Sequence, residues 1–376
     1  MISVIFYIIF YISLIEKNKI QNIISEYNDV KICVLGSHSA LEIMDGAKDE
    51  KLKTIVICKK GREKTYERFS RIVDKMIILD KFEKILTQQI QKKLLDMNAV
   101  LIPHRALTAY LGYDNIENKI YIPIFGNRKL FKAEDRTIKK NQYYLLEKAN
   151  IKHPKIFNEP KKIDRPSIVK VQEKKRSLER AFFMVNSYPD YKKQSQNKII
   201  DNTIAKEDLD NASIEEIVVG TYMNFNYFST PISKKVDFIG IERRLQTNLF
   251  DYNSYPAKQQ IAMNIDLQNI EVGHTPATIR ESLLEKVISM GDDFVDVVKK
   301  IYPPGIIGPF SLQSVITKDL EIFVYDVSLR VPGSPIISTT SPYTKYQYGK
   351  TFGVGRRIAM EIKDALKNNN LDKIVT

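Results

Sequence analysis

The sequence predicts an α/β protein that opens with a doubly wound domain and continues through two further mixed units. Three observations carry that reading. Short apolar runs alternate with stretches of helical spacing from residue 30 to about 126. The first run, "VKICVLG" (30–36), ends in glycine where a strand hands over to a helix, the handover expected of a β-α-β opening. With 376 residues and 43% hydrophobic content, the chain has enough apolar material for two or three cores at roughly 150 residues each.

Taken in order, residues 1–29 form an apolar N-terminal extension and helix. "ISVIFYIIFYISLI" (2–15) is uncharged but shorter than the roughly 20 residues that span a bilayer, and it lacks the basic flank of a signal peptide. It is read as an extension packed on the body rather than as a membrane anchor. Residues 30–126 form the doubly wound substrate domain. In it "SHSALEIMDGAKDE" is a helix, and "TIVICKKG" (54–61), "MIILD" (76–80) and "AVLIPH" (99–104) are further strands. Ligands of such sheets bind beyond the carboxyl ends of the strands, so His38 and His104, each following a strand, are placed at the crevice.

The second unit, 127–230, holds an amphipathic helix in "RTIKKNQYYLLEKANI", a strand "PSIVKVQ" that carries Lys170, a helix "SLERAFFMVNSY", and a strand pair "EEIVVGTYMNFNYFST" (215–230). The polar stretch 190–213 reads as a surface insertion or mobile loop. In the third unit, 231–376, strands lie near 236–241, followed by the long helix "TIRESLLEKVISMGDDFVDVVKKI", the hairpin "FSLQSVITKDLEIFVYDVSLR" (310–330) and the closing helix "VGRRIAMEIKDALK". No internal repeat is visible.

Composition narrows the function classes. The 58 Lys and Arg against 45 Asp and Glu leave a charge of +13, which attracts anions such as nucleotides and phosphorylated metabolites. The basic residues form no aromatic-interleaved stripe, so nucleic acid is not the expected partner. Cys33 and Cys58 lack C-x-x-C spacing, which argues against a disulfide framework or zinc site and for a reducing cytoplasm. The "GKT" at 349–351 lacks the first glycine and the strand-to-helix setting of a P-loop.

The hairpin concentrates the chemistry. With a loop over Thr317–Leu320, Ile316 pairs with Glu321, Gln313 stands opposite Val324, and Asp326 is its diagonal neighbour. Alternation then puts Asp326, Ser328 and Arg330 on one face and Phe323, Tyr325, Val327 and Leu329 on the core-facing side. A solvated sheet edge and a site for metal and phosphate both fit that pattern. Magnesium takes oxygen ligands and bridges carboxylates to phosphates, and arginine offers a rigid fork to a phosphoryl group.

The order of Lys170, then Glu215 and Glu216 leading into "IVVG", then Gln313, Asp326, Ser328 and Arg330 resembles the ATP-grasp ligases. That resemblance implies an ATP-grasp fold behind the first domain, with a small subdomain over 127–230 and a large one over 231–376. It further implies that Lys170, Glu215, Glu216, Val218 and Glu242 hold ATP, that Gln313, Asp326 and Ser328 hold Mg2+ or Mn2+, and that Arg330 stabilises the transferring phosphoryl. More narrowly, "VLGSHSALEIMDGAKDE", "LIPH" followed by "AYLG", "IPIFGNRKLF", "IRESLLEKVISMGDDFV", "YPPGIIGPFSLQSV" and "GRRIAMEI" are together similar to archaeal 5-formaminoimidazole-4-carboxamide ribonucleotide synthetase, from about residue 15 to the end.

This narrower resemblance implies a cytoplasmic, homo-oligomeric enzyme of purine biosynthesis that joins formate to the amine of a phosphorylated aminoimidazole ribonucleotide through a formyl phosphate. His38 is then substrate contact and catalytic partner, with Ser39, His104, Arg105, Ala106, His274 and Arg280 around the acceptor. On the residues alone, Ser37 and Ser39 around His38 also suit a helix cap. The family pattern P-H-G-S is here Pro103-His104-Arg105-Ala106, an asparagine is His274, a glycine-rich loop is "QEKKRSLERAFF", and an "AGTN"-like run is "PGSP". Lys174, Lys175 and Arg176 suit either a solvated run or a phosphate clamp replacing that loop. These departures leave two alternatives: a paralogue that ligates another carboxylate and amine, or a nucleotide-binding regulator without turnover.

Overall fold

The computed structural model describes residues 19–171, 182–210, 212–246, 249–263 and 271–376. Four parallel strands, β1 (Lys31–Leu35), β2 (Lys53–Lys59), β3 (Lys75–Leu79) and β4 (Ala99–Leu101), form the first sheet in the order β3-β2-β1-β4. In β1 and β2 the apolar run is continuous because both faces of the sheet are covered. The helix Ala40–Asp49 covers one face, and the closing helix Val354–Lys367 packs on it in turn. Glycine permits that approach: a Cβ on Gly46 would lie 2.1 Å from the Arg356 nitrogen. The end of the chain thus belongs to the core of the beginning.

A small antiparallel sheet follows, made of β5 (Ile156–Phe157), β6 (Ser167–Lys170), β7 (Phe182–Val185) and β8 (Ser213–Glu216) in the order β5-β8-β6-β7. The large antiparallel sheet contains β9 (Thr221–Thr230), β10 (Lys235–Gln246), β11 (Glu271–Ala277), β12 (Gly308–Ile316) and β13 (Ile322–Ser328) in the order β11-β10-β9-β12-β13. Helix Glu281–Ile301 buries Leu283, Val287, Met290, Phe294 and Val298 against this sheet, the spacing of one helical stripe.

Several expectations are corrected. Residues 182–185 of the segment read as a helix form β7, because Phe183 and Val185 alternate into the core of the small sheet. The stretch 190–213 is not a loop: helix Tyr188–Ile200 begins at Ser187, whose hydroxyl accepts the Asp190 amide, and a short helix spans Lys206–Leu209. The clamp residues 174–176 and the apolar residues 2–15 lie outside the described residues. Among the described residues, no helix is long and apolar enough to cross a membrane.

The hairpin register also differs. Leu320 adopts φ +59, the Thr317 amide donates to the Glu321 carbonyl, and the first pair is Ile316 with Ile322. A bulge between Gln313 and Ser314 then leaves Tyr325 as an extra residue, so Gln313 sits directly opposite Asp326. Alternation is broken there: Ile322, Val324, Val327 and Leu329 enter the core, while Phe323 and Tyr325 are half-buried outside it.

Candidate functional site

One end of the site is built on the turn after β1. His38 takes φ +50, a left-handed conformation uncommon outside glycine, and its ring stacks on that of His104 at 5.8 Å with the planes 3° apart. Ser39 does not cap the helix that follows. Its hydroxyl donates to the Pro332 carbonyl at 2.9 Å, and its single proton being spent, it accepts from His38 Nδ1 at 2.6 Å. This assigns the Nδ1–H tautomer and leaves the Nε2 lone pair free. Enclosure in the cleft, then Arg330, His104, Arg244 and Arg105, push the His38 pKa well below the usual imidazole range.

His104 is fully buried. Its Nε2 donates to the Leu35 carbonyl at 3.0 Å and its Nδ1 accepts the Ala106 amide at 3.3 Å, so it supports His38 and caps helix Arg105–Leu111 as a neutral ring. Burial takes its pKa down to about 4. The Val331 amide donates to the Pro103 carbonyl at 3.0 Å, which ties the end of β4 to the loop after β13. A Cβ on Gly333 in that loop would lie 2.9 Å from His38 Nε2 and 3.9 Å from His274 Cε1. Glycine therefore keeps the space between the two imidazoles open.

The other end of the site lies between the small and large sheets. Along β6, Ser167 and Val169 enter the core and Lys170 points into the cleft, where its ammonium pairs with Glu215 of β8 and lies 5.9 Å from the centre of the Tyr325 ring. Glu215 is 1% exposed and also faces Arg136 Nε at 3.3 Å. Arg136 Nη2 donates to Asp326 Oδ1 at 2.8 Å. Burial works against both carboxylates. Lys170 and Arg136 at Glu215, and Arg136, Lys170 and Arg244 at Asp326, nonetheless hold them below their usual range. Burial lowers the Lys170 pKa although Glu215 supports its charge.

The direct pairing of Gln313 with Asp326 brings two oxygen donors together. The Gln313 amide nitrogen donates to Ser328 Oγ at 3.2 Å, while its Oε1 is buried without a hydrogen-bond partner. An orphaned carbonyl oxygen beside a carboxylate that is 32% exposed suits a hard divalent cation. Among the described residues no three His, Cys, Asp or Glu side chains gather as a complete metal site. Arg330, the next cleft-facing position, sits over Glu134 Oε1 at 3.6 Å, and that oxygen also accepts the Leu329 amide at 2.7 Å. Burial lowers the Arg330 pKa and Glu134 opposes the shift.

His274 joins the two ends differently from what was expected. Its Nδ1 faces Glu242 Oε2 and its Nε2 faces Glu271 Oε1, each at 3.0 Å, so both ring nitrogens need protons. Burial opposes the charge, but the two carboxylates raise the pKa to about 9. Glu242 is buried and also takes the Asn224 amide. Arg244, across the strand pair from His274, faces Glu271 at 2.9 Å.

Other expected residues fall elsewhere. Glu216 points to the opposite face of β8 from Glu215, where it accepts the Lys155 amide and Arg165 Nη1, both at 3.1 Å, because neighbours on a strand alternate. Val218 is half-buried in the linker from β8 to β9, and Arg280 is exposed ahead of the long helix with no described contact to the cluster. Ala106 is buried behind His104, while Arg105, exposed at the start of its helix, is near enough for its charge to lower the His38 pKa. Sequence reasoning missed Arg136, Glu134, Arg244 and Glu271. Arg136 opens "RTIKK", where neighbouring lysines hide it, and no periodicity singles it out.

Comparison with known proteins bears on the family and the fold. The family model described as "Protein of unknown function (DUF1246)" matches residues 32–157, and "Domain of unknown function (DUF1297)" matches 190–376. The 5-formaminoimidazole-4-carboxamide-1-(beta)-D-ribofuranosyl 5'-monophosphate synthetases of Methanopyrus kandleri and Methanocaldococcus jannaschii are each 37% identical over 366 residues, 96% of this chain and 100% of theirs. The crystal structure of an IMP biosynthesis protein PurP from Thermococcus kodakaraensis superposes with a TM-score of 0.70 at 26% identity, covering 92% of this chain and 100% of that one. The ADP complex of N5-carboxyaminoimidazole ribonucleotide synthetase shares the fold at a TM-score of 0.59 and 12% identity, over 87% of this chain and 78% of the other. A doubly wound domain followed by an ATP-grasp fold accounts for all of these matches. Across nearly its whole length, the chain belongs to the family of archaeal 5-formaminoimidazole-4-carboxamide ribonucleotide synthetases.

Proposed function

We propose that this protein uses ATP and magnesium or manganese to join formate to the amine of the 5-aminoimidazole-4-carboxamide ribonucleotide. The observation that carries the proposal is convergence. Asp326, Ser328 and Arg330 run along β13 from the nucleotide end into the loop that holds Gly333 against His38, so phosphoryl transfer and amine capture share one cleft. The identity of 37% over 96% of the chain supports this synthetase over a paralogue with another acceptor or a regulator without turnover.

A divalent cation held by Asp326 and Gln313 Oε1 supplies charge neutralisation to the triphosphate when bound. Lys170 binds phosphate oxygens from the small sheet, and Arg330 faces the developing charge as formate oxygen takes the γ-phosphoryl and ADP leaves. The amine then attacks the formyl carbon, a C–N bond forms, the C–O bond breaks, and inorganic phosphate departs. His38 Nε2, held as an acceptor by Ser39, receives the amine proton. A weakly basic imidazole suffices, because the nitrogen becomes strongly acidic once its lone pair enters the new bond.

The test is phosphate release and nucleotide product measured with ATP, formate and the carboxamide ribonucleotide, each omitted in turn. Turnover that requires all three supports the assignment. Phosphate release indifferent to formate, with no formylated product, would refute it.

A further inference from the structure

β13 is an edge of the large sheet, and several backbone groups of the strand and of Leu329 just past its end are met by side chains of the connection that follows the first domain. Tyr143 donates its hydroxyl to the Tyr325 carbonyl at 3.0 Å, the Val327 amide donates to Gln142 Oε1 at 2.6 Å, and the Leu329 amide donates to Glu134 Oε1 at 2.7 Å. Side chains thus stand in for a neighbouring strand. Two of the three are neutral. At the third a neutral amide would serve the backbone as well, yet the residue is a carboxylate whose side chain is only 7% exposed. Burying a charge is costly unless an opposite charge meets it.

We propose that Glu134 is the positioning residue of Arg330: its carboxylate holds the guanidinium where the phosphoryl group transfers, and it acts on the reaction only through that side chain. The inference rests on the ligase reading above. Glu134 Oε1 lies 3.6 Å from Arg330 Nε, which is buried without a hydrogen-bond partner, and Arg330 Nη1 donates to the neighbouring Val331 carbonyl at 3.3 Å. Attraction to the carboxylate, rather than a bidentate seat, therefore sets where the head lies. The restraint is needed because Arg105 brings like charge toward Arg330. Glu134 is itself fixed. It ends the turn Phe131–Glu134, in which Phe131 packs into the core of the first domain, while Leu130 and Ala133 pack into the core of the large sheet. Just upstream, Asn127 Nδ2 donates to the Tyr302 and Gly305 carbonyls, both at 3.0 Å. A carboxylate anchored to two cores can place a guanidinium to the precision that transfer requires.

The experiment is a double-mutant cycle of wild type, Glu134→Gln, Arg330→Ala and the double variant, with circular dichroism and thermal melting as controls on folding. Glutamine keeps an oxygen for the Leu329 amide and removes only the charge. Initial rates are taken with ATP, formate and the carboxamide ribonucleotide, and the affinity for a non-hydrolysable ATP analogue with magnesium is measured by calorimetry. Glu134→Gln should lower kcat about tenfold or more and leave the affinity for the analogue within about twofold of wild type. In the Arg330→Ala background the same change should cost less than about twofold, since its target is gone. Glu134→Asp keeps the charge but withdraws it by a methylene. It should also lose kcat with analogue binding preserved, and it covers the case in which the glutamine variant fails to fold. An unchanged kcat, losses that multiply in the double variant, or a fall in kcat matched by weaker analogue binding would overturn the proposal and leave Glu134 a seal on the sheet edge. A wild-type protein without formate-dependent turnover would instead overturn the ligase reading itself.

Discussion

At the end of the site proposed to take the nucleotide, Glu215 and Asp326 are ionised and each is held by cations: Lys170 and Arg136 on the first, Arg136 on the second. At the end proposed to take the acceptor, His38 and His104 are neutral, and their hydrogen bonds go to a serine hydroxyl and to backbone groups. The first arrangement is exchangeable, since a carboxylate can trade one cation for another. The second is fixed by covalently placed backbone and by ring stacking, and it presents one lone pair in one direction. A ligase needs both, a site that rearranges as cation and triphosphate arrive and a site that holds a weak nucleophile still.

The largest expected effect comes from removing a charge at the exchangeable end. Asp326→Asn should lower magnesium-dependent ATP turnover by about a hundredfold or more while circular dichroism stays native, since the carboxylate lies at the cleft rather than in the core. Normal turnover would place the metal elsewhere. At the fixed end, Gly333→Ala pushes a methyl to 2.9 Å from His38 Nε2. Formylation should fall by roughly tenfold with nucleotide affinity unchanged, because the ring must leave its stacked position. A matching loss of ATP affinity would show that the two ends are not separable.

His274 belongs to both ends and sharpens the comparison through pH. Its pKa rises from 6.5 to about 9 on folding, so its contribution to stability is fully present below pH 6.5 and is lost as pH rises toward 9. Thermal melts of His274→Asn should therefore approach those of wild type as pH climbs from 6.5 to 9. A gap that stays constant with pH would mean the imidazolium is not the stabilising form. The smallest effect is expected at Glu216, which points out of the site. Glu216→Ala should leave the KM for ATP unchanged and cost about 0.2 to 1 kcal/mol in denaturant unfolding, as partly exposed ion pairs do. A raised KM would restore it to the adenine site.

Much of the fold was readable because it follows local periodicity. The closing helix was expected over "VGRRIAMEIKDALK" and spans Val354–Lys367, and β1 and β2 stand within a residue or so of their apolar runs. Those signals come from the backbone's own repeats. The errors also have local causes. "AFFMV" suits a helix as well as a strand until Phe183 and Val185 find the small core, and the bulge at Tyr325 breaks the alternation on which the hairpin reading relied. Position at strand ends or along strands, helped by a family resemblance, singled out His38, Lys170 and Asp326. Arg136 and Glu134 were not singled out, since they lie on the short connection after the first domain, where composition carries no pattern.

Residue order alone was enough for the alternation of strands and helices, the positive charge that draws anions, and the placement of histidines beyond β1 and β4, because each depends on neighbours a few positions apart. Which charges meet depended on the folded chain. Arg136 and Asp326 are 190 positions apart, Ser39 and Pro332 are 293 apart, and the tautomer of His38 follows from the second of these contacts. Such pairs form only when separate sheets pack. Burial then strengthens the fields between the charges, and no local pattern records which carboxylate a given arginine will face.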